Sequence, residues 1–297
     1  MITNDTLSIA FFGEMELKKG DFRLPDFPTR KSKELFARLV LEAPRAIPRD
    51  SLANLLWQDL ETDKARKCLR TELWRIKKVL QSRSLDASCC LLICQHSVSF
   101  NHNMDHEFDV KQFESGLKVV LTREIEQLTQ ADFDLLKRCI AIYRGDLLES
   151  FDNAWFMLRR EEFRSQYLIA LELLVLYCMC QRDWNNAIVY ANQLLSHDPL
   201  LEHIHRYLMQ SYGGKGDRTS AINQYQSCRK LLIDELGVSP SSETEILYRD
   251  IIKRQTENTS KIPVSTPESL LNTVNQALLN IRQSERLLTR AADQLLK

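Results

Sequence analysis

The alternation of apolar and polar positions predicts short strands at the start of the chain. Residues 6–25 form brief extended runs around a turn at Gly20, and prolines at positions 25 and 28 end this pattern. Apolar residues three and four apart then predict helices, before extended runs resume. The helices are predicted at 30–41, 48–57 and 63–83, and the extended runs at 90–94 and 97–100. This order of small sheet, three helices and hairpin indicates a helix-turn-helix with a wing.

The third of these helices has two contrasting faces. Four apolar residues form its buried stripe, at Leu69, Leu73, Ile76 and Leu80. The opposite face carries mainly basic side chains, namely Lys67, Arg70, Thr71, Trp74, Arg75 and Lys78. Residues 64–83 contain eight basic residues against one acid, Glu72. Thr62 or Asp63 is expected to cap this helix, because both residue types accept hydrogen bonds from free backbone N–H groups.

A helix with an apolar back and a cationic front suits the major groove of DNA. Arg and Lys hold phosphates there, and Arg also makes bidentate contacts with guanine. Lys67 and Lys78 are the expected phosphate contacts, and Arg70 and Arg75 the expected base readers. Trp74 either stacks on a sugar or thymine methyl group, or packs on the wing strand. The alternative for the whole face is the solvated surface of an ordinary helix, since basic runs are weak motifs.

Basic residues near two other helix starts are further candidates for phosphate contact, namely Arg30, Lys31, Lys33 and Arg49. Helix N-termini favour anions through their free N–H groups. Salt bridges to neighbouring acids are the alternative, because exposed charged side chains are the ordinary case.

Charge is distributed unevenly along a chain that is neutral overall, with 40 basic and 40 acidic residues. Residues 23–83 hold fifteen basic and eight acidic residues, a net charge of +7, whereas residues 84–297 carry a net charge of −5. A basic N-terminal segment followed by an acidic helical segment favours DNA binding by the first and protein contacts by the second.

Composition and motifs argue against several other classes of protein. The sequence has no nucleophile elbow, no metalloprotease motif and no dinucleotide-binding glycine fingerprint. Its cysteines and histidines between 89 and 106 fit no standard zinc spacing. We therefore expect no catalytic residue, metal or cofactor. Eight irregularly spaced cysteines favour free thiols in a reducing cytoplasm, and the most apolar run, 168–180, is too short to span a bilayer.

The second half of the chain contains an internal repeat. Residues 183–187 and 217–221 align at an offset of 34 positions, which places Ala187 opposite Ala221. Pro199 follows Ala187 by twelve residues. This period and spacing are typical of tetratricopeptide repeats, in which paired helices stack through small residues. The Gly-rich run 213–216 is interpreted as a helix-connecting turn.

The N-terminal motifs resemble a known family of regulators. The runs FGEMEL, IPRDSLANLLW and ARKCLRTELWRIKKVL, at 12–17, 47–57 and 65–80, are similar to the response-regulator-type winged helix of the Streptomyces antibiotic regulatory protein (SARP) family. The runs YRGDLL, HDPLLE and LLIDELGVSP, at 143–148, 197–202 and 231–240, resemble the bacterial transcriptional activator domain that follows it. The wing departs from the family, because 95–100 lacks the usual Gly-Tyr pair.

The resemblance implies a sequence-specific transcriptional activator. It implies binding of double-stranded promoter DNA at direct repeats as a head-to-tail homodimer, with the activator domain contacting RNA polymerase, in the cytoplasm at the bacterial nucleoid and not at a membrane. The competing hypothesis is a helical-repeat scaffold whose winged helix binds protein rather than DNA. That scaffold would have little affinity for DNA and no dependence on salt.

The expected fold is mainly α-helical, with four segments. Residues 1–105 are predicted to form an α+β winged helix-turn-helix, and 106–256 a tetratricopeptide-like all-α activator domain. A polar linker at 257–268 then precedes an amphipathic C-terminal helix at 269–297. The apolar stripe of that helix favours either dimerisation and partner binding or packing on the repeats.

Overall fold

The computed structural model describes residues 6–82, 87–121, 123 and 128–253. The chain divides into two compact units. Among the described residues, the N-terminal unit comprises 6–112 together with 145–156, and the helical unit comprises 113–144 and 157–253. The linker expected at 257–268 and the helix expected at 269–297 lie outside the described residues.

Two small sheets frame the N-terminal unit. Their strands are β1 (Leu7–Ala10), β2 (Glu16–Lys19), β3 (Phe22–Arg23), β4 (Ile47–Pro48), β5 (Leu91–Ile93), β6 (Ser97–Phe100) and β7 (His106–Phe108). The first sheet has the strand order β3-β2-β1-β7 and the second the order β4-β6-β5. Because β7 pairs in parallel with β1, the compact unit continues past residue 105, where the sequence analysis placed the division.

Three helices form the core of this unit, and they confirm the predicted winged helix-turn-helix order. They are α1 (Arg30–Leu41), α2 (Arg49–Leu56) and α3 (Thr62–Gln81), with a short turn of helix, α4 (Ala87–Cys90), before β5. Their apolar faces meet at fully buried residues such as Leu35, Leu52 and Ile76. Burial of such side chains is the dominant favourable term in folding.

The predicted cap of α3, Thr62 or Asp63, was wrong. Thr62 is the first residue of the helix and Glu61 occupies the N-cap position. The cause is the preceding turn, in which the Leu60 N–H bonds to the Trp57 carbonyl at 3.1 Å. The Ala65 N–H then bonds to the Glu61 carbonyl at 2.9 Å, which starts the helical series there.

A segment far along the chain, residues 145–156, is built into the N-terminal unit, and we call it the embedded segment. The Gly13 N–H donates to the Asp146 carbonyl at 2.9 Å, and the Leu148 N–H donates to the Phe11 carbonyl at 2.9 Å. The glycine that follows the predicted helix favours a C-cap at Gly145, but Tyr143 holds that position. A Cβ on Gly145 would lie 3.3 Å from the Gly13 Cα, so glycine permits this close backbone approach.

Side chains of α1 also hold the embedded segment. The guanidinium of Arg38 lies 4.4 Å from the centroid of the Trp155 ring, and its Nε is 2.8 Å from Glu42 Oε1. Only 3% of the Arg38 side chain is exposed, and burial lowers the pKa of Arg38. The amide of Asn153 donates to the buried carboxylate of Glu34. The first helix therefore fixes the segment through both polar and aromatic contacts.

Seven further helices follow within the described residues. They are α5 (Asp109–Leu121), α6 (Gln130–Ile142), α7 (Ala154–Cys180), α8 (Trp184–His197), α9 (Glu202–Lys215), α10 (Arg218–Leu236) and α11 (Ser242–Lys253). Asp183 and Asp217 cap α8 and α10 in the same way, each accepting a bond from the N–H three residues later. Ala187 and Ala221 are fully buried. The tetratricopeptide-like arrangement is thereby confirmed.

The Gly-rich run 213–216 is mostly helix and not the predicted turn. Helix α9 continues to Lys215, and Gly216 is its left-handed C-cap, with φ of 85°. A Cβ on Gly214 would lie 2.6 Å from Cε2 of Trp184. The glycine therefore allows the large indole to lie against the backbone of α9.

One helix, α7, is long and apolar enough to cross a membrane by length and composition alone. Its 27 residues exceed the apolar run seen in the sequence, but 67% of its most apolar window is buried inside the fold. This burial is what a core helix of a repeat domain requires.

We expect the stability of the helical unit to depend on pH because of His205. Its Nε2 lies 2.9 Å from the Pro199 carbonyl and its Nδ1 lies 2.6 Å from Gln224 Nε2. A neutral ring with its proton on Nε2 satisfies both contacts, whereas a proton on Nδ1 faces an amide donor. Burial lowers the pKa of His205 below its ordinary value.

The unfolded chain therefore binds a proton on this histidine more readily than the folded chain does, so stability falls as pH falls through about 6.5 and below. We expect a higher free energy of unfolding at about pH 7.5 than at about pH 5.5, measured by chemical denaturation. His205→Gln should flatten this dependence, while the control His102→Gln at an exposed position should keep it. An equal slope in both variants would contradict the assignment.

Candidate nucleic-acid interface

Helix α3 is held by its apolar back. Ala65, Leu69 and Ile76 on that side are at most 1% exposed, and the helix packs against α1 and α2. This packing fixes which side chains face outward. An exposed face remains on the opposite side of the helix, as the apolar spacing predicts.

Five of the six side chains assigned to the groove-facing surface are exposed, namely Lys67, Arg70, Thr71, Trp74 and Lys78. The indole of Trp74 is 58% exposed, and the Lys78 ammonium lies 5.6 Å from the centroid of its ring. The Thr71 hydroxyl donates to the Lys67 carbonyl at 3.1 Å. We call these five residues together with Arg75 the cationic face.

Arg70 and Lys67 differ from most basic residues of this region. Among the residues that the structure describes, neither side chain makes an ion pair or a hydrogen bond. Their charges are therefore available to an anion in solution. An exposed cation of this kind needs no rearrangement to meet a phosphate or a base edge.

Arg66, on the same helix, is already engaged. Its Nε and Nη2 donate to the two carboxylate oxygens of Asp50, at 2.7 and 2.9 Å. The guanidinium lowers the pKa of Asp50. This bidentate pair joins α3 to the start of α2.

Arg75 is half-buried and also has a partner. Its Nη1 donates to Glu72 Oε1 at 2.6 Å, and the second oxygen of that carboxylate accepts from the Thr29 hydroxyl at 2.7 Å. Thr29 is the N-cap of α1. Glu72 is the one acidic residue between 64 and 83, and no pattern in the sequence indicates that Thr29 would meet it.

Three of the four secondary candidates, namely Arg30, Lys31 and Arg49, have protein partners. Arg30 Nη2 lies 2.7 Å from Asp152 and 3.1 Å from the Ser150 carbonyl, both in the embedded segment. The Lys31 ammonium is 3.4 Å from Glu34. Salt bridging, the alternative raised for these residues, describes their present contacts. Neither contact excludes a phosphate, since 60% of the Arg30 side chain is exposed.

The wing is the hairpin of β5 and β6. The Arg49 N–H donates to the His96 carbonyl at 2.9 Å, and Arg49 Nη1 lies 3.5 Å from the Cys94 carbonyl. These bonds tie the start of α2 to the turn of the wing. Across the described part of the chain, no three His, Cys, Asp or Glu side chains come together as a metal site would require.

Comparison with protein families gives a match over about half of the chain. The model described as "Bacterial transcriptional activator domain" matches residues 108–252. This span begins at the end of β7 and extends to the penultimate residue of α11.

Several proteins of similar sequence are bacterial regulators. The chain is 21% identical over 254 residues to the "Transcriptional regulatory protein MoaR1" of Mycobacterium tuberculosis, covering 85% of this chain and 81% of that protein. It is 26% identical over 230 residues to the "Transcriptional regulator RedD" of Streptomyces coelicolor, covering 74% and 65%. The "Regulatory protein AfsR" of the same organism is 23% identical over 250 residues, which are 84% of this chain and 24% of that protein.

A solved structure has the same fold. Mycobacterium tuberculosis EmbR, determined in complex with a low-affinity phosphopeptide, superposes with a TM-score of 0.70 at 17% identity. The match covers 93% of this chain and 71% of EmbR. The winged helix followed by an all-α domain is thus an arrangement that a distant protein shares.

Proposed function

We propose that α3 reads promoter DNA in the major groove, as part of a transcriptional regulator that resembles the SARP family. The match of residues 108–252 to the bacterial transcriptional activator domain and the regulatory names of the relatives support this proposal. The observation that carries the proposal is the cationic face, presented on a helix whose back is buried. Lys67 and Arg70 on that face have no partner among the described residues. A helix of this form fits the groove and places cations at phosphates and base edges.

The residues of the cationic face divide by chemistry. Lys67 and Lys78 hold phosphates, because an ammonium is a compact point charge without planar geometry. Arg70 and Arg75 read base edges, because the guanidinium presents parallel donors to guanine. Thr71 lies between them, and Trp74 offers its exposed ring to a sugar or a thymine methyl group.

Arg30, Lys31 and Arg49 are secondary phosphate contacts in this proposal. Arg30 keeps donors beyond those used on Asp152 and Ser150, because a guanidinium carries five N–H groups. Arg49 lies beside the turn of the wing. In winged helices this turn approaches the DNA backbone when the recognition helix is in the major groove. These residues position the protein and carry no base preference.

The helical unit is the part of the protein to which we assign contacts with other proteins. We assign to it homodimerisation and contact with RNA polymerase, which make the protein an activator of transcription, acting in the cytoplasm at the nucleoid. Support comes from the activator-domain match and from the regulatory names of the relatives. No catalytic role, metal or cofactor is part of the proposal.

Lys78→Ala tests the phosphate assignment. We expect affinity to fall by a similar factor for every DNA sequence, with a salt slope about one unit shallower, because one counterion fewer is released. The measurement is binding to specific and scrambled duplexes over a salt series. The matched control, Lys230→Ala on the exposed side of α10, should leave affinity and slope unchanged. A loss confined to one base pair would reassign Lys78 as a base reader.

A further inference from the structure

The acid in the middle of the basic helix has an unexpected position. Glu72 is the one acidic residue between 64 and 83, yet its side chain is only 8% exposed. A buried carboxylate is costly unless it is paired and hydrogen-bonded. Both of its oxygens are in fact used, Oε2 by the Thr29 hydroxyl and Oε1 by Arg75.

The first of these contacts fixes Glu72 to the body of the domain. Thr29 belongs to a capping box, in which its hydroxyl accepts from the Ser32 N–H and the Ser32 hydroxyl returns a contact to the Thr29 N–H. The hydroxyl that donates to Glu72 therefore sits at a rigid corner of α1. Glu72 is held by two helices at once, through its own backbone in α3 and through the N-cap of α1.

The second contact restrains Arg75. Its Nη1 lies 2.6 Å from Glu72 Oε1, and 36% of the side chain is exposed. Only Nη1 has a protein partner among the described residues. The guanidinium is thereby anchored through one terminal nitrogen, while Nε and Nη2 keep their donors for another acceptor.

We infer that Glu72 is a positioning residue that orients Arg75 for one base pair. The inference rests on the proposed reading of DNA by α3. A free arginine loses much side-chain freedom when it binds, whereas a guanidinium already held in plane loses less. Arg70 is the natural comparison, because it lies on the same face without a partner among the described residues.

The experiment is a double-mutant cycle in the full chain, read out as discrimination at each base pair of the selected site. Arg75→Ala first identifies the base pair that Arg75 reads. Glu72→Met fills a similar volume but removes both acceptor oxygens, and we expect discrimination at that same base pair to fall about tenfold, within the range of one bidentate contact. Combined with Arg75→Ala, Glu72→Met should add less than about twofold at that base pair.

Two further variants separate orientation from charge and from folding. Asp63→Asn removes an exposed negative charge from the same helix, and it should leave discrimination within about twofold at all positions. Glu72→Gln keeps the shape and one acceptor oxygen, so it should lose less discrimination at the Arg75 base pair than Glu72→Met. It also keeps the inference testable if Glu72→Met folds poorly. Thermal unfolding of each variant reports structural damage, which alone would weaken binding to every sequence alike.

The outcomes distinguish this inference from the proposed function. If the parent protein prefers no sequence, the reading by α3 fails and the inference falls with it. If the parent discriminates but Glu72→Met leaves the Arg75 base pair unchanged, or still changes it in the Arg75→Ala background, Glu72 does not act through Arg75. A gain of discrimination in Glu72→Met would mean that the carboxylate holds Arg75 away from the groove, and would overturn the inference.

Discussion

Glu42→Ala is expected to lower the free energy of unfolding of the N-terminal unit by about 3–5 kcal/mol, because it removes the hydrogen-bond-distance counter-ion of a buried guanidinium. The partner, Arg38, is 3% exposed and its Nε is 2.8 Å from the Glu42 carboxylate, of which 10% is exposed. Burial already lowers the pKa of Arg38. The guanidinium nevertheless stays charged, because arginine does not lose its proton in proteins. The measurement is denaturant unfolding followed by circular dichroism.

Two controls define this effect. Glu61→Ala removes an ion pair with Lys64 whose side chains are 78% and 67% exposed, and it should cost at most about 1 kcal/mol. The double variant Arg38→Met/Glu42→Leu removes both charges and should be less harmful than Glu42→Ala alone. If Glu42→Ala is as mild as Glu61→Ala, the pair does not hold α1 and the embedded segment in the way described.

Arg70→Ala is expected to remove about 1–3 kcal/mol of discrimination at one base pair, roughly 5- to 150-fold, and to relax the preferred base there. Arg70 is exposed on the cationic face and has no protein partner among the described residues. Its guanidinium is thus free to make both parallel bonds to a guanine. The measurement is the affinity for a set of duplexes that each carry one substitution.

Arg66→Ala is the matched control, since it removes the same charge from the same helix. Arg66 already donates two bonds to Asp50, so its loss should change affinity evenly and leave the base preferences intact. Equal base-specific effects of the two variants, or no base-specific effect of Arg70→Ala, would show that the cationic face is placed wrongly.

Apolar spacing was sufficient to predict the helices that bury a single stripe. The predicted span of α1 coincides with Arg30–Leu41, and the four apolar positions of α3 are all buried. The repeat at an offset of 34 residues likewise predicted the paired helices, in which the equivalent residues Asp183 and Asp217 are the N-caps. A single stripe lies within a few turns of helix, and a repeat keeps a fixed spacing, so pattern is informative in both cases.

Contacts between distant parts of the chain were beyond such patterns. Arg30 meets Asp152, which is 122 positions away, and Glu72 meets Thr29, 43 positions away. Gly145 was misassigned because a glycine at a helix end also serves where two backbones approach closely. The same ambiguity affected Gly214, which accommodates Trp184 inside a helix. Local chemistry predicted the types of residue at the candidate interface, and tertiary packing decided their partners.

The most direct test of sequence reading by α3 is to incubate the purified full chain with genomic DNA fragments and to sequence those retained at two salt concentrations. The proposal predicts retention of a few fragments that share paired half-sites, with binding that weakens steeply as salt rises because phosphate contacts release counterions. Uniform weak retention of all fragments, or none, would contradict it and would favour a helical-repeat scaffold whose winged helix binds protein.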